Sequence, residues 1–316
     1  MRLASAARAP GALGPLGLGV AAGGAARVAY AALKRYPPAG EKTWTRTNHR
    51  GEPVTLLEGP AVALGAVAVQ LIYSERARSS ARTAQALALA GAGALGFGVY
   101  DDLAGSGKRR GLRGHLGALA RGEVTTGAVK LAGLGATGLG AAALLGRHEP
   151  ADVAINAGLI AGGANLVNLF DLRPGRAVKV ATASAALIAA GSAVTGGGSG
   201  GSAAVAAPLG AALAMAPEDL GERAMLGDAG ANALGAMLGC AAAVSLPRPA
   251  RVALLAGIAA LTVASEKVSF TKVIERTPPL RWLDMLGRRP QAPAPQAAFR
   301  AAPPAAPQVS PRQTEP

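Results

Sequence analysis

The sequence predicts an all-α fold: a polytopic transmembrane helical bundle of about nine spanning helices. Three observations predict it. Half of the 316 residues are hydrophobic and only 16% are charged, against about 25% in soluble globular domains. Mean hydropathy is +0.30 even though the chain ends in a polar, proline-rich tail. The charges also gather in short loops between apolar stretches, many of them close to the ~20 residues that a bilayer crossing needs.

Taken in order, the candidate spans lie at about 11–33, 56–74, 84–100, 124–146, 151–170, 178–195, 201–216, 229–247 and 250–266. The first follows Arg2 and Arg8 as a signal peptide would, but its long apolar run and the eight further spans predict a retained helix. With the N-terminus outside, alternation puts 21 Lys and Arg on the inner side against 7 on the outer, the bias expected of cytoplasmic loops. The loop with Arg76, Arg78 and Arg82 runs against it. This orientation puts every conspicuous polar motif on the inner, cytoplasmic side. A multi-pass plasma-membrane protein is the expectation.

Alanine and glycine fill the spans, and aromatics are only 3%. Part of that bias is genomic composition, and part serves close helix approach. Glycine-rich stretches such as 133–140 suit packing within one chain, with a homodimer as the other use. The net charge of +14 would suggest nucleic acid in a soluble protein. Here the cations sit in loops between spans, so no nucleic-acid partner is expected. Membrane lipids and anionic diphosphates are. The single cysteine, Cys240, lies in an apolar run, which excludes an intrachain disulfide and leaves it as a small packing residue. Residues 1–266 form the membrane domain. The stretch 267–289 alternates charges with apolar residues, as a membrane-surface segment does. The Pro/Ala-rich tail 290–316 is expected to be disordered.

Acids at bilayer depth are expensive and mark function by default. Asp101 and Asp102 follow the apolar run ending at Tyr100, Asp171 follows Asn165 and Asn168, and Asp228 lies in the run Met225 to Asn232. All four fall at helix ends on the inner side and could share one polar cleft. The blander readings are a helix N-cap for Asp228 and a solvated loop start for Asp101 and Asp102. Paired carboxylates need a cation, and acids with no Cys or His cluster suit magnesium rather than zinc. Lys130 lies a turn or two inside a span, so it either snorkels or reaches into the cleft. Lys108, Arg109, Arg110, Arg113 and His115 follow the Asp pair, and Arg173 and Arg176 follow Asp171. Lys108 to Arg110 read as positive-inside anchors, whereas the guanidinium forks of Arg173 and Arg176 suit phosphate.

Four segments in order carry a resemblance across about residues 44–240. They are NHRGEPVTLLEGP at 48–60, Tyr100-Asp101-Asp102, the run Asn165 to Asp171, and MLGDAG at 225–230. The chain resembles the polyprenyl-phosphate N-acetylhexosamine-1-phosphate transferase superfamily, which includes the phospho-MurNAc-pentapeptide translocase and GlcNAc-1-phosphate transferases. The resemblance implies transfer of a sugar 1-phosphate from a UDP-sugar to a polyprenyl phosphate, releasing UMP. It implies Asp101, Asp102 and Asp228 as catalytic groups, with Mg2+ on Asp228 and Asp101. Lys130, Asn165, Asn168, Asp171, Arg113, His115 and Arg173 would bind substrate. The chain departs from the family pattern in three places. The second Asp usual after Asp171 is missing, Ala231 stands where a Ser often follows the Gly-Asp-x-Gly motif, and the histidine-rich late loop is absent. Those departures keep a second expectation open, a non-catalytic relative that binds lipid phosphates or scaffolds envelope enzymes. A carboxylate-relay transporter is a third.

Overall fold

The computed structural model describes residues 13–76, 81–105, 114, 117–118, 120–146, 149–197 and 200–290. Among them stand nine long helices: α1 (Pro15–Arg35), α3 (Glu58–Arg76), α4 (Ala81–Ala104), α5 (Thr126–Leu144), α6 (Pro150–Phe170), α7 (Arg176–Val194), α8 (Gly200–Leu220), α9 (Gly227–Ser245) and α10 (Arg248–Ser265). Seven of these are long and apolar enough to cross a membrane, α3 and α9 being the other two. A short helix α2 (Glu41–Trp44) and an antiparallel pair of strands, β1 (Thr45–Thr47) and β2 (Pro53–Thr55), link α1 to α3. Two short helices close the described chain, α11 (Phe270–Arg276) and α12 (Pro278–Met285). The chain is an all-α polytopic membrane bundle, as the apolar segments predict.

Helix starts follow local chemistry. Proline sits in the first turn of α1, α6 and α10, where its missing N–H costs no helix bond. The Thr125 hydroxyl accepts the Ala128 N–H at 3.1 Å and so starts α5. That start puts Lys130 in the second helical turn.

The bundle is built around α9, which is buried from Gly227 to Ala243 except at Asp228. It packs against α3, α4, α6, α7 and α8. Inside a bilayer lipid is as apolar as leucine, so close van der Waals fit holds helices together. A β-carbon on Gly235 would stand 2.2 Å from the Gly163 carbonyl oxygen of α6, so backbone meets backbone there. One on Gly98 of α4 would stand 2.5 Å from the Asp228 carbonyl oxygen. Within 133–140, Gly133 against Phe97 and Gly138 against Ala157 serve the same end.

The segment after α10 is tied to the bundle by charge. Arg176, at the start of α7, is buried and donates to both Asp284 carboxylate oxygens at 2.8 and 3.1 Å and to Thr271 at 3.0 Å. Lys179 donates to the Asp284 carbonyl and Arg288 to its carboxylate. Phe170 and Phe270 stack 5.2 Å apart. Arg176 therefore serves as a structural clamp, and its fork is not turned to phosphate as the sequence suggested. Outward, α12 presents Leu280, Trp282 and Leu283. The tail from 291 lies outside the described residues.

Two outcomes follow from this packing. Gly98→Ala should cost about 1–3 kcal/mol through overpacking, read as a lower unfolding midpoint in detergent. Gly96→Ala, where a β-carbon meets only open space, should cost nothing. For the clamp, burial opposes ionisation of Asp284, but Arg176, Arg288 and Lys179 outweigh it and hold the carboxyl below its usual value. Its contribution is complete above the ordinary carboxylate range and is lost as pH falls through the lowered value. Asp284→Ala should accordingly speed limited tryptic cleavage within 267–289 at neutral pH, and in the parent chain a pH lowered through that value, below about 3.9, should loosen the same segment, read with the acid-active protease pepsin.

Candidate functional site

Every acid singled out from the sequence lies at one end of the bundle. The reason begins with α9. A helix N-terminus leaves N–H groups unpaired, and a buried terminus must find partners in other segments. Leu226, at the N-cap, offers no side-chain bond. The cap comes from another helix. Asp102, in the last turn of α4, accepts the Asp228 N–H at 3.0 Å and the Ala229 N–H at 2.9 Å, one on each carboxylate oxygen. Asp171, at the C-cap of α6, stands near the Gly227 N–H, whose dipole favours its charged form. Gly227 turns the chain with φ +60, a left-handed value that glycine adopts without strain. Asp228 is thus not the cap. The cap belongs to Asp102, with Asp171 beside the same turn, and Asp228 is free to point elsewhere.

It points at Lys130. The Lys130 ammonium lies 2.5 Å from Asp228 Oδ2 and 2.6 Å from Asp101 Oδ2. All three side chains are largely buried, with 14–24% of each exposed. Two carboxylates that would repel are held together by one cation drawn from α5. Lys130 reaches the cleft rather than snorkelling. The other face of the Asp pair is held by Arg46 of β1, whose Nη2 donates to the Asp102 carbonyl at 2.6 Å.

Beside this triad lies a cavity of about 250 Å³. His49, Asp171, Arg173, Asp219 and Glu222 line it. Desolvation, then the charges of Asp219, Asp228 and Asp102, push the Asp171 carboxyl well above the usual carboxylate range. Burial, with Arg173, Arg288 and Arg50 nearby, lowers His49 despite Glu222. Glu222 sits at φ +56 and is held by Arg50, whose Nε lies 2.9 Å from each of its oxygens, and by Asn48 at 3.1 Å. The Thr55 carbonyl accepts the Met225 N–H at 3.0 Å. This fastens the β1–β2 hairpin to the chain entering α9.

The structure brings together Asp101, Asp102, Lys130, Asp171 and Asp228, and puts Arg173 at the neighbouring cavity. Asn165 stands apart, its Nδ2 donating to Thr262 of α10 at 3.3 Å. The Asn168 carbonyl accepts the Asp171 N–H and closes the end of α6. Arg113 and His115 lie outside the described residues.

Sequence reasoning missed three residues. Glu58, at the start of α3, is fully buried, and neither carboxylate oxygen has a hydrogen-bond partner. Its signal was there, as the only acid in the predicted span 56–74. Asp219, buried at the end of α8, accepts the Gly175 N–H at 3.0 Å, and an acid directly after Pro217 and Glu218 was the hint. Arg46 carried no signal beyond its charge.

Removing the shared cation should expose the repulsion it hides. Lys130→Met should cost about 3 kcal/mol, in the range for leaving buried charges unpaired. Adding Asp101→Asn should restore part of it, so a double-mutant cycle in detergent would show coupling. Purely additive losses would mean the triad is not one unit. No family model and no curated protein matches this chain.

Proposed function

We propose that the chain transfers a sugar 1-phosphate, an N-acetylhexosamine 1-phosphate by the resemblance, from a UDP-sugar to a polyprenyl phosphate, releasing UMP. The observation that supports this reading most is the convergence of Asp101 and Asp228 on Lys130, beside Asp102 and Asp171, at one end of a membrane bundle. In such a reaction an oxygen of the acceptor phosphate attacks the β-phosphorus of the nucleotide sugar. The bond from that phosphorus to the bridging oxygen breaks, and UMP leaves with the oxygen. Donor and acceptor are both anionic, so positioning and charge neutralisation are the main demands on the protein.

The residues suit those demands. Lys130 offers an ammonium to a phosphate oxygen. The Asp102 carboxylate accepts two α9 backbone N–H groups, so its part is to position Asp228. The cavity beside Asp171 and Arg173 has room for part of a nucleotide. Magnesium suits the donor set, because two hard carboxylate oxygens already gather around one cation. Among the described residues no three His, Cys, Asp or Glu side chains are grouped to hold a metal, and magnesium is commonly satisfied by one or two carboxylates plus phosphate and water. Asp228 and Asp101 would hold it, and it would offset diphosphate charge. This end faces the cytoplasm of the plasma membrane in our reading, where UDP-sugars are made and where the loop cations are richest.

The test is UMP release by the purified chain in nanodiscs with magnesium, polyprenyl phosphate and a panel of UDP-sugars. Acceptor-dependent release should appear with one sugar and fall at least a thousandfold in Asp228→Asn. Silence across the panel from folded protein, alongside an active transferase, would favour binding of lipid phosphates without transfer.

A further inference from the structure

The side of α1 that faces away from the α9 core carries a pattern that the transfer chemistry does not use. Leu16, Val20, Gly24, Arg27, Ala31 and Lys34 recur at three- and four-residue intervals, so they form one stripe along the helix. Its first half lines an apolar groove of about 750 Å³, walled on the far side by Leu209 and Leu213 of α8 and Ala186 of α7. Its second half is basic. Arg27, Tyr30, Lys34, Arg35 and Glu218 border a second, open concavity, and Arg27 belongs to both. Among the described residues Glu218 is the only acid bordering that concavity, and it is already shared by Arg27 at 2.9 Å and Arg223 at 2.7 Å. Lys34 and Arg35 are exposed and lie over the rings of Tyr30 and Tyr36. The patch therefore keeps a net positive charge.

We propose that this stripe seats one anionic phospholipid of the surrounding bilayer, an acyl chain in the groove and the phosphate headgroup against Lys34 and Arg35. Charge complementarity selects the headgroup. Beyond Arg27 the groove stays apolar to Leu16, so one acyl chain can follow it from the basic end. A neutral phospholipid would fill the groove equally well but gain nothing from the two cations.

The experiment is native mass spectrometry of the full-length, delipidated protein titrated with phosphatidylglycerol or with phosphatidylcholine of the same acyl chains. Phosphatidylglycerol should be retained about tenfold more tightly, and Lys34→Gln with Arg35→Gln should bring the two lipids level. Gly24→Leu should lower retention of both lipids, since a β-carbon there meets only open groove and the larger side chain would occupy it. Equal retention of the two lipids by the parent chain, or a preference that survives the double substitution, would overturn the proposal. So would displacement of phosphatidylglycerol by equimolar polyprenyl phosphate. The substituted residues are exposed, so the charge variants should fold. If Gly24→Leu does not fold, the charge pair still decides.

Discussion

One backbone demand organises this molecule: the buried N-terminus of α9 needs acceptors. Within a bilayer an unpaired N–H finds no water and costs several kcal/mol. The chain meets that demand with Asp102 from the end of α4, and Asp171 from the end of α6 stands beside the same turn. Those bonds, with Asp171 beside them, bring three helix ends to one point. They also decide where Asp101 and Asp228 stand, because each is the immediate neighbour of a residue in the cap. The carboxylate pair and its counter-ion Lys130 follow from the cap, and the cavity beside Asp171 follows from the same convergence.

Close backbone approach makes that convergence possible. Where α4 and α6 meet α9, Gly98, Gly163 and Gly235 leave no room for a β-carbon. Lipid supplies little drive for helix association, so contact area and a few buried polar bonds must supply it. The alanine- and glycine-rich composition then reads as the packing surface of a thin-walled bundle, whatever genomic bias contributed to it. At the opposite end a smaller polar knot does similar work. Arg251 of α10 is buried and bonds Asn156 at 2.6 Å and Asp152 at 3.0 Å, both on α6.

Much of this was legible in the sequence, and the parts that were not share a cause. Nine apolar segments gave nine long helices, and alternation put all four singled-out acids at one end. Boundaries slipped where polar residues continue a helix. α4 runs to Ala104 because Asp102 is bonded to α9 and the Gly105 N–H closes on the Asp101 carbonyl at 2.8 Å. α8 runs to Leu220 through Pro217, and its last turn is held by Asp219 on Gly175. In both cases the stabilising partner lies in a different helix, so no local pattern announces it. The same holds for Asp102 as a cap and for Arg176 as a clamp on Asp284. Local pattern reveals which residues are costly to bury, whereas only the fold reveals what they are bonded to.

The position of α9 in the chain gives the bundle a schedule. Synthesis runs from the N-terminus, and seven long helices precede the one they enclose. Until α9 emerges, the glycines of α4 and α6 face a vacant slot, and Asp102 has no N–H groups to accept. An intermediate of seven helices would carry unmatched acids at its mouth and must hold its slot open to lipid or to the insertion machinery. The arrival of α9 fills the slot and ties the acids in a single event, so the bundle closes late, almost at its last span.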